Sequence, residues 1–303
     1  MKSNTVRSPL FYVGDKYKLI PQLTALFPNQ INSFYEPFVG GGSVFLNIEA
    51  NDYHLNDFDE NIIKIHKYLY KQAKNPLIFF KNAEGIIKKY NLSRSFKEDV
   101  VPDELKKQWK KTYYARYNKS SYEKLRDDFN KSGHKDPLVM YLLLIYGFNR
   151  MLRFNKSGLF NLPVGNVDFN KNAIRALNEY FQITREKTLI FTNMDYRVFI
   201  SENEYSHDDF IYLDPPYLIT FSEYNKFWGG AQEKDLLNML DELNNKNVRF
   251  ALSNVTHYND NKNDILIDWM ARYNVHPIKS NYISYNNNST IKNITEVLIT
   301  NYA

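Results

Sequence analysis

The sequence predicts an α/β protein in which one open sheet is assembled from both ends of the chain, around a basic, largely helical insertion. Three observations carry this expectation. Residues 31–58 read as strand, glycine turn, helix and strand. Strand-like apolar runs then return only late, at 189–192, 210–213, 248–253 and 297–300. The stretch between the two groups spaces apolar residues at helical intervals and carries a large excess of positive charge.

Taken in order, residues 31–36 form the first strand and Pro37 to Gly42 the turn that ends it. Residues 43–50 place Val44, Phe45 and Ile48 at helical spacing, and 53–57 form a short second strand with an acidic end. From Ile62 to about Tyr90 the pattern is an amphipathic helix with Ile62, Ile63, Ile65, Tyr68 and Leu69 on one side. Residues 91–135 are polar, basic and rich in tyrosine, and 137–146 form a strongly apolar helix too short to span a membrane. A loop rich in Asn, Arg and Gly covers 147–165. Between the strands at 210–213 and 248–253, Leu236, Leu237, Leu240 and Leu243 mark another amphipathic helix. Asn286 to Asn288 read as a turn.

With 303 residues, 43% hydrophobic and 24% charged, the chain has the composition of a globular protein with a substantial core. It has no cysteine, which excludes disulfides, thiolate nucleophiles and cysteine-ligated zinc, and makes a reducing cytoplasm its natural home. No apolar run reaches 18 residues, and Met1 to Asn4 lack the apolar core of a signal peptide, so no membrane partner is expected. The six histidines show no close pair of metal-ligand spacing, and no metal is expected. The net charge is only +5, yet residues 64–135 hold 19 Lys/Arg against 8 Asp/Glu while the rest holds 20 against 26. A basic surface on a mildly acidic body suits a polyanion.

Two motifs carry chemistry. Asp214-Pro215-Pro216-Tyr217 follows the apolar run 210–213. Two prolines cannot continue a strand, so the carboxylate, rigid carbonyls and ring are held at its carboxyl end, where open α/β sheets bind ligands. Acceptors beside an aromatic ring suit a flat base with an exocyclic amino group. The second motif is Gly40-Gly41-Gly42, which can bring backbone N–H groups close to a ligand. It lacks the spacing of a dinucleotide fingerprint or phosphate loop. Asp57, at the end of the second strand, can accept from ribose hydroxyls. A nucleoside site without a pyrophosphate clamp fits S-adenosylmethionine.

Together these pieces resemble the Dam and DpnII type of adenine-specific DNA N6-methyltransferases, in order along nearly the whole chain. Residues 9–17 resemble the family's N-terminal cofactor segment, with Tyr12 where many relatives carry Trp and Asp15 where they have a second Gly. Residues 36–45, from Glu36-Pro37-Phe38-Val39-Gly40 to Phe45, nearly match the family motif, Asn56-Asp57-Phe58 resembles the ribose segment, and Asn193-Met194-Asp195 a segment approaching the cofactor adenine. The resemblance implies a Rossmann-like three-layer α/β/α methyltransferase sheet, mostly parallel with one antiparallel strand. Residues 1–63 and 188–303 would then form the catalytic domain, and 64–187 an inserted target-recognition domain with a hairpin near 149–165. It implies cofactor contacts from Tyr12, Lys16, Glu36, Pro37, Phe38, Gly40, Gly42, Asp57, Asp195 and Asp214, and catalysis by Asp214, Pro215, Pro216 and Tyr217.

The expected substrate is an adenine flipped out of double-stranded DNA in a short site with a GATC or related core. Lys106, Lys107, Lys110 and Lys111 are expected at phosphates. Asn149, Arg150, Arg153 and Asn155 lie in the hairpin, with Arg153 where relatives place a guanine-reading arginine; base edges, phosphates and turn caps all suit these residue types. The aromatics of residues 220–228 are expected either to close on the base or to pack as a loop. A monomer is expected, acting alone or protecting DNA from a restriction endonuclease of the same site. An RNA adenine methyltransferase, a nucleotide-dependent oxidoreductase and a catalytically silent DNA-binding protein are the competing readings.

Overall fold

A computed structural model of the chain describes residues 5–97, 101–133, 135–220, 228–279 and 294–302. Most of the aromatic stretch after the Asp-Pro-Pro-Tyr motif, residues 221–227, and the asparagine turn at 286–288 lie outside the described residues. The helices are α1 (Ile20–Thr24), α2 (Glu60–Gln72), α3 (Pro76–Lys89), α4 (Asp103–Trp109), α5 (Tyr113–Lys131), α6 (Pro137–Tyr146), α7 (Lys171–Thr184), α8 (Tyr196–Glu202), α9 (Gly230–Asn245) and α10 (Asp264–Met270). The strands are β1 (Ser33–Glu36), β2 (Asp52–Asn56), β3 (Thr188–Thr192), β4 (Phe210–Leu213), β5 (Arg249–Tyr258), β6 (Asn261–Lys262), β7 (Asn274–Ile278) and β8 (Ile294–Thr300).

The strands form one sheet in the order β3-β2-β1-β4-β5-β8-β7. Pairing is parallel from β3 through β5, and β8 runs antiparallel to both its neighbours. The mostly parallel Rossmann-like sheet with one reversed strand is therefore present; the two-residue β6 adds a small antiparallel ribbon on β5.

Side-chain alternation divides the sheet into two buried faces. Phe34, Phe210, Tyr212, Ala251 and Leu298 enter one apolar cluster, whereas Tyr35, Ile211, Leu213, Phe250, Leu252 and Ile299 enter another. Successive residues of a strand point to opposite faces, so a strand buried on both sides reads as a continuous apolar run. The second cluster is completed by α8, α9 and α10, the first by α2, α6 and α7. These are the three layers.

Residues 64–187 do not form a separate core: Leu138 to Tyr146 and the buried face of α7 share the first cluster with sheet residues. Residue 64 itself lies inside α2. Apart from intermediate Val139, α6 is buried from Leu138 to Tyr146, as expected of a helix apolar on every side.

Two local expectations change. The helical pattern over 62–90 is broken at Ala73–Asn75, because Pro76 disfavours helical backbone at the residue before it. The helix expected over 43–50 is a single 3-10 turn at Phe45–Asn47, ending in extended Ile48. Asn47 explains this: its amide donates to Val6 O and Ser43 O, both at 2.8 Å, and its carbonyl accepts from Val6 N. Spacing alone could not reveal that the side chain ties down the N-terminal segment.

Candidate active site

Strand register brings the motifs to one edge. Glu36 pairs with Leu55 and Asn56 with Thr192, so Pro37, Asp57 and Asn193 leave the sheet side by side. Phe34 and Tyr35 pair with Phe210 and Ile211, which sets Glu36 beside Tyr212 and the Pro37 turn beside Leu213 and Asp214. β1 and β4 flank the point where strand order reverses, the usual ligand crevice of such sheets. Because β8 runs the other way, its first residues arrive at the same edge as the last residues of β4. Glu296 thereby joins the motifs.

Asp214 is the centre of the cluster. Its Oδ2 lies 2.8 Å from Lys16 Nζ, and its Oδ1 accepts from the Tyr217 hydroxyl at 2.8 Å. Tyr217 also donates towards Glu296 Oε1 at 3.4 Å, which lies 3.8 Å from Lys16 Nζ. Lys16 stands 5.0 Å from the centroid of the Tyr217 ring. The Lys16 and Glu296 side chains are only 5% and 1% exposed, against 20% for Asp214. A carboxylate has about four lone-pair sites, so each Asp214 oxygen can accept a further bond. Pro215 is buried and Pro216 half-buried behind it.

Glu36 presents the opposite case. It is buried, and its Oε2 has no hydrogen-bond partner among the described residues. Burial, and then the Asp214 charge, push its carboxyl well above the usual carboxylate range. Two acids at neighbouring strand ends thus diverge in environment: one is paired with a lysine, the other is desolvated.

The glycine turn is held from three sides. Gly40 N donates to Asp57 Oδ2 at 2.8 Å, and His66 Nε2 donates to Gly40 O at 2.9 Å. Ser8 Oγ donates to Gly41 O. A Cβ on Gly41 would stand 2.9 Å from Tyr12 Cβ, so glycine is needed for this close approach, and buried Tyr12 backs the turn. Gly40, at φ +45, would place a Cβ in open space. Burial is the largest cause of the raised pKa of Asp57, about 6. Asn56 joins three loops: its amide donates to Pro37 O and Met194 O, and its carbonyl accepts from Thr192 Oγ1 and Met194 N.

Phe38 packs against Tyr196 and Trp228 with ring centroids 5.3 and 5.8 Å away. Asp195 caps α8 and binds Arg197 through Nε and Nη2, both at 2.8 Å, which holds its carboxyl below the usual range.

The hairpin closes through Phe148 N to Pro163 O, Asn161 N to Arg153 O and Asn155 N to Leu159 O. Arg153 donates to Asn161 Oδ1 and O, both at 2.9 Å, while Asn155 Oδ1 accepts from Ser157 N and Leu159 N. Asn149 is exposed at the hairpin base. Lys106 and Lys107 lie on α4, with Lys106 3.2 Å from Asp103; Lys107, Lys110 and Lys111 are exposed.

The model of the D12 class N6 adenine-specific DNA methyltransferases matches residues 12–283. The chain belongs to that family. It is 33% identical over 310 residues to the type II methyltransferase M.FokI of Planomicrobium okeanokoites, covering 99% of this chain and 44% of that protein. It is 34% identical to the modification methylase StsI of Streptococcus sanguinis, over 98% of this chain and 43% of that protein. The chain thus spans less than half the length of these two relatives. To the DNA adenine methylase of Escherichia coli K12 it is 26% identical, over 98% of this chain and 95% of that protein.

Within this D12 class chain, sequence reading passed over Glu296 and His66. Glu296 had a signal, being the one acid inside the apolar final strand 294–300. His66 had none: on α2 it is simply one more inward position, and only folding puts it under Gly40.

Proposed function

We propose that the chain transfers a methyl group from S-adenosylmethionine to N6 of an adenine flipped out of a short double-stranded DNA site. The observation that carries this reading is the convergence of Asp214 to Tyr217, the glycine turn and Asp57 on the strand edge around the β1–β4 crevice. In this reading residues 1–63 and 188–303 bind cofactor and perform catalysis, and 64–187 read the DNA. The division is one of task, since the two share a core.

The residues present fit the cofactor. Buried Glu36, with an unpartnered oxygen, suits a cationic ligand, because a nearby positive charge offsets the cost of ionising it. Gly40 leaves room for close approach, and Asp57 suits ribose hydroxyls. Tyr12, Pro37, Phe38, Gly42 and Asp195 would complete the walls, with Lys16 and Asp214 at the reacting end. Bound S-adenosylmethionine supplies an electrophilic methyl group.

The protein's own task is to shape the adenine amino group, whose lone pair is delocalised into the ring. Asp214 and the Pro215 carbonyl accept both N6 hydrogens, favouring a pyramidal nitrogen with a localised lone pair. Lys16, 2.8 Å from Asp214 Oδ2, holds that carboxylate in place. The alkylated nitrogen is strongly acidic, so Asp214 suffices to take its proton. Tyr217 stacks on the flipped base.

Incubating the protein with labelled S-adenosylmethionine and either duplex DNA or RNA tests the reading, together with modification-sensitive sequencing of DNA from expressing cells. N6-methyladenine in one sequence context of DNA is expected; methylation of RNA alone would overturn the proposal. We place the protein in the cytoplasm as a monomer. The names of M.FokI and StsI favour a restriction endonuclease of the same site as its functional counterpart.

Asp57 gives this site a pH dependence. Burial raises its carboxyl pKa to about 6, and the ionised form is the stronger acceptor for two ribose hydroxyls. Cofactor affinity should therefore strengthen as pH rises through 6 and weaken as pH falls below it, by at most about tenfold per unit. Calorimetric titration across about pH 4.5–8 checks this: an Asp57→Asn variant should lose the inflection near pH 6 and keep only the dependence that Glu36, also raised, contributes, and an unchanged inflection in that variant would reassign it.

A further inference from the structure

The N-terminal segment meets the hairpin at a second cluster that methyl transfer does not use. The Arg7 and Arg150 guanidinium carbons lie 4.7 and 4.2 Å from the centroid of one ring, that of Phe11, and Arg7 also lies 5.0 Å from the Tyr17 ring. Two like charges therefore share one aromatic surface. The Nε atom of each is buried, with no hydrogen-bond partner among the described residues. Burial, and then the Arg7 charge, hold the Arg150 pKa below its ordinary value, though the group stays protonated at neutral pH. Asp15 is the nearby counter-charge, itself desolvated and accepting from Tyr17 N at 3.0 Å.

The backbone around the cluster is held unusually as well. Phe11, Asn149 and Arg150 adopt φ values of +46°, +52° and +50°, a region that side chains other than glycine rarely occupy. Such backbone persists where the surrounding structure over-determines it, often at ligand clamps. Beside Arg7 lies a cavity of about 170 Å³ whose lining brings in a third guanidinium, Arg175, together with Asn172 and one carboxylate, Glu179. A surplus of half-buried positive charge, with two buried Nε donors unmet, is stabilised by an anion with several acceptor oxygens.

We propose that Arg7 and Arg150 form a clamp for a DNA backbone phosphate next to the target nucleotide. The position follows from the chain: Asp15 and Tyr17 of the cluster flank Lys16, whose Nζ touches Asp214. The cluster is thus joined through the backbone of residues 15–17 to the reacting end of the site. The clamp rests on the reading of duplex DNA as substrate. It adds Arg7 to the DNA contacts and assigns Arg150 to the backbone rather than to a base edge.

The salt dependence of duplex binding tests it, measured on the full chain with one fixed duplex. Each lost phosphate contact lowers the slope of log affinity against log salt by about 0.9. The double variant Arg7→Gln/Arg150→Gln should show that change and bind about tenfold more weakly at moderate salt, each single variant should fall between it and wild type, and Arg→Lys at both positions should restore the slope. The set of methylated sequences should not change. Unchanged slopes in folded variants would overturn the clamp, and so would a relaxed sequence choice in Arg150→Gln, which would mark it as a base reader. A probe on the DNA side needs no variant: a neutral methylphosphonate at one phosphate flanking the target adenine should weaken wild-type binding about tenfold. If no flanking position does so, the clamp falls. Wild-type protein that binds with arginine-dependent slope but methylates nothing would sink the methyltransferase reading and leave the clamp standing.

Discussion

Asp214→Ala should slow methyl transfer by roughly 10³-fold or more under single-turnover conditions, the scale for loss of a preorganised group at the reacting centre. Two effects add. In the proposed reading the adenine amino group loses its carboxylate acceptor, and Lys16, 5% exposed, loses its 2.8 Å partner. Removing one partner of a buried ion pair commonly costs about 3–5 kcal/mol of stability, so folding must be measured alongside rate. Asp214→Asn separates the two effects. It keeps the shape and one acceptor but presents an N–H to the amino group, so it should be almost as slow while melting closer to wild type. S-adenosylmethionine affinity should fall only a few-fold in either variant, because Glu36 and Asp57 remain. Turnover within tenfold of wild type in Asp214→Ala would remove Asp214 from the catalytic role.

The second large effect is expected at Tyr217. Base–aromatic stacking contributes about 1–3 kcal/mol by alanine substitution, so Tyr217→Ala should lose between about 5- and 150-fold in kcat/KM. Tyr217→Trp and Tyr217→Phe keep a ring face and should lie much nearer to wild type. The hydroxyl adds a cost common to those two. It donates to Asp214 and towards Glu296, a tether that Phe lacks and Trp cannot reproduce. If the tether orients Asp214, both variants share a small rate deficit at normal DNA affinity. Equal rates for Ala, Phe and Trp would count against stacking.

The positions of the candidate site residues at strand ends were legible because prolines, glycines and acids mark them. Asp214, Gly40 and Asp57 sit where a strand must stop, and stopping is a local property. The large apolar face of α6 was equally plain. Residues 43–50 misled, since helical spacing of Val44, Phe45 and Ile48 says nothing of Asn47 reaching Val6 across 41 positions. Likewise Glu296 and His66 act through contacts made only when the sheet and α2 are assembled. Composition located the basic insertion, but not that its helices share one apolar core with the sheet.

The reversed final strand has a consequence for biosynthesis. β7 pairs only with β8 among the described residues, and β8 also covers β5. A nascent chain that has emerged only through β7 already holds Lys16 and Asp214, but it has two uncovered strand edges and no Glu296. The ion cluster at the reacting end is therefore completed by the insertion of β8, which also closes those sticky edges. The one strand that follows β7 thus both completes the ion cluster and protects these edges from aggregation.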